Sequence, residues 1–173
     1  MHIFPMRVPG EDRLPPCTML QIEELELYFG FQLPSDYRVF LSEHNGVSFE
    51  DWVTFPILRP YDPRNTEGHI DLLFGLAQSS ESCDLRNPFY RTGYDFAKRV
   101  PEYIRVIGQS GIQHYIAMSF ATEDCGSVYV WNPYLDWNDE QNGKKDYAEF
   151  QLAAPSFTQW WESLTHSVED PFF

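Results

Sequence analysis

"LPSDYRVFLSEHNG", residues 33–46, carries the start, the buried face and the stop of one short helix. Pro34 suits the first helical position, where a missing N–H is no loss, and Asp36 stands where a carboxylate favours the positive end of the helix dipole. Tyr37, Phe40, Leu41 and His44 repeat at i, i+3, i+4 and i+7, a stripe that must face a core. Asn45 and Gly46 end it. His44 closes the stripe and is expected to bond nearby carbonyls, since no second histidine stands at metal-ligand spacing. Upstream, "TMLQIEELELYFG" predicts a partner helix. Thr18 and Gln21 have the spacing of a capping box, Gly30 is a left-handed stop, and Ile22, Leu25 and Phe29 share one face. Glu23, Glu24 and Glu26 fall elsewhere on the wheel and read as a solvated acidic face.

Beyond Gly46 the hydrophobic period shortens towards two. "FEDWVTFPIL" and "HIDLLFGLA" read as strands on either side of the polar loop "RPYDPRNTEG". A helix is predicted from Asn87-Pro88 to Lys98 or Arg99, before Pro101. Four strand-like segments follow, "EYIRVIG", "IQHYIAMSF", "GSVYVWN" and "YAEFQLA", the last two separated by a longer loop containing Asn142-Gly143. "SFTQWWESL" closes the pattern, with Ser156 and Gln159 spaced as a second capping box and Phe157, Trp160, Trp161 and Leu164 on one helical face. The expected architecture is α+β: a central, mostly antiparallel sheet with two N-terminal helices and a C-terminal helix packed around it. Residues 18–173 read as a single domain and residues 1–17, rich in proline, as an extended N-terminal arm.

Composition narrows the function. The 173-residue chain can bury roughly two thirds of its unfolded surface. Its formal charge of -14 argues against nucleic acid and anionic membranes, which are bound through clustered Lys and Arg, and favours a basic protein partner. Cys17, Cys83 and Cys125 are widely spaced and suggest reduced thiols in a cytoplasm, not a disulfide framework or zinc site. Neither a secretory leader nor a membrane span is expected.

Near-matches to catalytic and metal motifs fail on their spacing. "GQSGI" approximates a nucleophile elbow, but Gly111 comes one place early and both flanks read as strand, so Ser110 is expected in a turn. "DWNDEQNG" sets Asp136, Asn138 and Glu140 at alternate positions, as a calcium loop does. Its glycine is eighth instead of sixth, however, and Tyr147 stands where a bidentate Glu is needed. His2, His44, His69, His114 and His166 show no metal-site spacing, and no phosphate-cradling P-loop is present. No catalytic residue, metal or cofactor is expected.

The order of these pieces resembles the SUKH superfamily, in particular its Smi/Knr branch, over about residues 20–165. Leu33, Pro34, Asp36, Tyr37, Phe40, Leu41, Asn45 and Gly46 form the first anchor, and Gly126, Val128, Tyr129 and Trp131 the second. The chain departs from that branch at "IGQSGIQHYIAMSF", where Gln109, Gln113, Met118 and Ser119 replace its usual acidic, Gly-Asn and Leu-Asp positions. The resemblance implies helices around a central sheet. For most bacterial members it also implies an immunity protein that binds and silences a polymorphic toxin, whereas fungal relatives regulate cell-wall synthesis and signalling. A toxin that cuts nucleic acid needs a basic cleft, so the partner expected here is a basic toxin domain, met by a monomer or weak homodimer. The surface expected to meet it combines Glu50, Asp51 and Trp52 with Glu123 and Asp124 in a hairpin turn and Trp137, Asp139 and Glu140 in the long loop. Tyr37, Phe40, Asn45, Gly46 and Trp131 are assigned to folding.

Overall fold

Thr18 opens the first helix, α1 (Met19–Phe29), with the predicted capping box. Its hydroxyl accepts from the Gln21 N–H at 3.3 Å, and Gln21 Oε1 accepts from the Thr18 N–H at 2.9 Å. Gly30 stops the helix at φ 83°, donating its N–H to the Glu26 carbonyl. These observations come from a computed structural model that describes residues 11–12, 14–77, 84–86, 100–110, 114–132 and 150–167.

The second helix, α2 (Ser35–Glu43), begins one residue later than predicted. Pro34 has ψ 143° and is the extended residue before the helix, not its first member. The entry is held from outside, because Glu26 Oε1 accepts the Leu33 N–H at 2.8 Å and also pairs with Arg38 at 3.1 Å. Glu26 is therefore a part-buried link between the two helices, unlike the solvated residue expected, while Glu23 and Glu24 are exposed as predicted.

The strands are β1 (Glu11–Asp12), β2 (Val47–Pro56), β3 (Glu67–Leu73), β4 (Ile104–Gln109), β5 (Tyr115–Ser119), β6 (Val128–Trp131), β7 (Phe150–Ala154) and β8 (Thr165–Ser167). Among the described residues they form one antiparallel sheet in the order β1-β2-β3-β4-β5-β6-β7, with β8 also paired to β2. The sheet curls. The Leu58 and Arg59 N–H groups donate to the Leu152 carbonyl, and the Tyr61 N–H to Gln151 Oε1, so chain leaving β2 lies against β7. Register shifts in the β2/β3, β4/β5 and β6/β7 pairings accompany this curvature.

Both aromatic stripes are buried, as predicted, and they pack against each other. Helix α3 (Phe157–Glu162) sets Phe157 4.9 Å from both Tyr37 and Phe40, and Trp160 5.4 Å from Phe55 of β2. Asp36 ties the helices together: one carboxylate oxygen accepts from the Tyr37 N–H, the other from the backbone and hydroxyl of Thr158. Under α1, Phe31 stacks on Phe120 at 4.6 Å and the Arg105 guanidinium lies 4.8 Å from the Phe31 ring. Carbonyls of Glu102 and Ile104 accept from Nη1 of that buried guanidinium, which offsets part of the penalty of burying its charge.

Asn45 and Gly46 do more than end a helix. Both are left-handed, at φ 49° and 92°. Asn45 is 2% exposed, and its amide spans three segments: Nδ2 donates to the Pro15 and Leu76 carbonyls, and Oδ1 accepts the Leu76 N–H at 2.7 Å. A side chain on Gly75 would strike the Asn45 carbonyl at 2.2 Å, so the two strands of backbone cross with no room for a Cβ. The predicted helix from Asn87 to Lys98 or Arg99 lies outside the described residues.

Candidate functional site

Two ends of β5 carry the side chains of interest. At its N-terminal end, Ser110, His114 and Asn132 lie around the turn from β4 and the exit of β6. His69 of β3 reaches this end, with Nδ1 3.3 Å from Ser110 Oγ and Nε2 3.1 Å from Asp71 Oδ1, and the Trp52 ring stacks on it at 3.7 Å. The two ring nitrogens thus face one partner each, the Ser110 hydroxyl and the Asp71 carboxylate. Hydroxyl, imidazole and carboxylate are the parts of an activated nucleophile. Here Ser110 and His69 are both buried, and the Ser110 N–H closes the predicted turn onto the His114 carbonyl, so the trio braces β3 against the β4–β5 turn. His114 Nε2 is 3.0 Å from Asn132 Nδ2, and burial, assisted by His69, pushes the His114 ring below its ordinary pKa.

At the other end, residues 120–127 turn β5 into β6. Glu123 is exposed there. Asp124 points inward: its carboxylate accepts from the Ser119 hydroxyl at 2.5 Å and the Tyr129 hydroxyl at 2.6 Å. Burial and then this carboxylate raise the Tyr129 phenol well above its ordinary pKa, so the phenol stays a donor. Gly126, at φ 90°, lets the turn close beside Pro34.

Three of the residues expected to meet a partner can be placed by their side chains. Trp52 lies at one end of β5 and Glu123 at the other, with Asp124 engaged inside its own turn. Glu50 and Asp51 are backbone members of β2. Trp137, Asp139 and Glu140 lie outside the described residues. Of the residues assigned to folding, Tyr37, Phe40, Asn45, Gly46 and Trp131 are all buried.

A third surface was not anticipated. Leu20 and Leu27 of α1 are 64% and 83% exposed, with Met19 and Tyr28 also exposed beside them. A cleft of about 390 Å³ adjoins this face, lined by Gln21, Glu24, Leu25, Tyr28, Leu76, Ala77 and Arg86. The signal was present in the sequence as two leucines seven residues apart, off the Ile22, Leu25, Phe29 face. Behind the cleft-lining Ala77 and Arg86, the buried Asp84 accepts from both. Burial works to raise its carboxyl pKa, and the Arg86 bonds and charge outweigh burial and hold it below the ordinary value.

Among the described residues no cluster of three or more His, Cys, Asp or Glu side chains is placed to hold a metal, and no helix is long and apolar enough to cross a membrane. The architecture is that of an α+β protein built on one curled antiparallel sheet. The sequence model of the SMI1 / KNR4 family (SUKH-1) matches residues 16–163, and the chain belongs to that family. The match bears out the resemblance read from the helix pair and the Gly126–Trp131 strand. No curated protein matches the chain.

Proposed function

We propose that this protein is a cytoplasmic immunity protein, which binds a cognate polymorphic toxin, a basic nuclease-like domain, and silences it by occupying its surface. The observation that carries this reading is membership of the SUKH-1 family over residues 16–163. The work is recognition and not bond-breaking. A toxin present in the same compartment must be held at low concentration, which requires nanomolar affinity, about -12 kcal/mol. An interface near 1,600 Å² supplies that when a few anchors are well buried. The charge of -14 adds speed, since attraction to a basic cleft raises association from roughly 10⁵–10⁶ towards about 10⁸ M⁻¹s⁻¹ at low salt.

Where a neighbouring gene encodes a toxin domain, co-expression with that domain tests the proposal. Rescue of growth is expected, and continued killing in the presence of folded protein refutes it. A gene with no toxin neighbour, or one fused to signalling domains, points instead to a regulatory binding module.

A further inference from the structure

We infer that the outward face of α1 is a docking surface for a basic protein, with Leu20 and Leu27 as its apolar centre. The inference rests on the immunity reading and names the surface that reading would use. Successive helical residues turn by about 100°, so Leu27 lies about 20° from Leu20, with Glu23 about 60° to one side and Glu24 about 40° to the other. Both glutamates are exposed. Leucines standing this far into water on a helix whose opposite side already packs Ile22, Leu25 and Phe29 make no contribution to the core. The stripe has the form of an interface centre with a charged rim. Tyr28 extends it to the neighbouring cleft, an opening suited to one anchoring side chain.

Charge selects the occupant. Helix α1 contains no Lys, Arg or His. A second copy docking through this face in a two-fold dimer would set Glu23 and Glu24 against their own counterparts. Arg86, at the edge of the cleft, is engaged by Asp84 and the Ala77 carbonyl. A partner that presents an apolar side chain between Lys and Arg residues satisfies both the stripe and its rim.

The test is hydrogen exchange of the full chain with and without a toxin domain that it neutralises on co-expression, together with binding kinetics of a Leu20→Ser/Leu27→Ser variant and a Glu23→Lys/Glu24→Lys variant. Amides over residues 19–28 are expected to gain protection. The leucine variant should weaken binding about 30-fold or more, mainly through faster dissociation, with its melting temperature unchanged because both side chains are exposed. The charge variant should slow association about 10-fold at low salt and flatten its salt dependence. Tight binding and neutralisation with α1 unprotected and both variants like wild type overturns this surface and leaves the immunity reading standing. Absence of binding by the wild-type protein overturns both. A wild-type dimer that the leucine variant dissociates identifies the occupant as a second copy and overturns the basic partner.

Discussion

Asn45 shows how much one residue can hold. Its backbone is left-handed, which asparagine tolerates better than most side chains, and its buried amide joins the chain before α1 to the segment that follows β3. Asn45→Ala loses the bonds and strains the backbone, and should cost about 2–4 kcal/mol in urea unfolding. Asn45→Gly keeps the backbone and loses only the bonds, so about 1–3 kcal/mol is expected. Equal losses would mean that the left-handed turn contributes nothing. His114 gives a pH signature. Its folded pKa lies below the ordinary 6.5, so between the two values the unfolded chain binds more protons than the native one. Stability from this group is fully present above about 6.5 and is lost as pH falls through the folded value. Unfolding midpoints from pH 7.5 down to 5 should fall, and His114→Gln should reduce that slope.

At the scale of elements, two carboxylates act as connectors. Glu26 joins α1 to the entry of α2, and Asp36 joins α2 to the first turn of α3. Glu26→Ala and Asp36→Ala should each cost about 1–2 kcal/mol, measured by denaturant titration. The two sites share no partner, so the double variant should be additive to within about 0.5 kcal/mol. A large excess would show that the helices form one cooperative cap. The helices and strands themselves were legible because their signals are local: a capping box at Thr18, a stripe at Tyr37, Phe40 and Leu41, and short runs rich in β-branched and aromatic residues in β4 to β6. What Glu26 and Asp36 touch was not. A carboxylate on a helix reads as solvated until the next element is placed against it, and Thr158 is far away in sequence.

For the whole molecule, the excess of carboxylates is a self-repulsion that salt screens. Raising NaCl from about 0.02 to 0.3 M should stabilise the fold by about 1 kcal/mol, seen as a rise in melting temperature; a fall would mean that specific ion pairs such as Arg38–Glu26 dominate. How the acidic and aromatic residues group on the surface was the least legible feature. Composition announces acidity and rings, but their grouping depends on topology, and β5 places Trp52 and Glu123 at opposite ends. The exposed stripe of α1 escaped notice for the opposite reason, because leucine is read as core unless the other side of its helix is already filled.

A chain with so many rings invites templated growth into fibrils wherever a strand offers an unmatched row of donors and acceptors. Here one border of the sheet is occupied by two very short strands, β1 and β8, and at the other the Leu152 carbonyl is already taken by the chain following β2. Both borders of the described sheet are therefore blunted against edge-to-edge pairing with another copy.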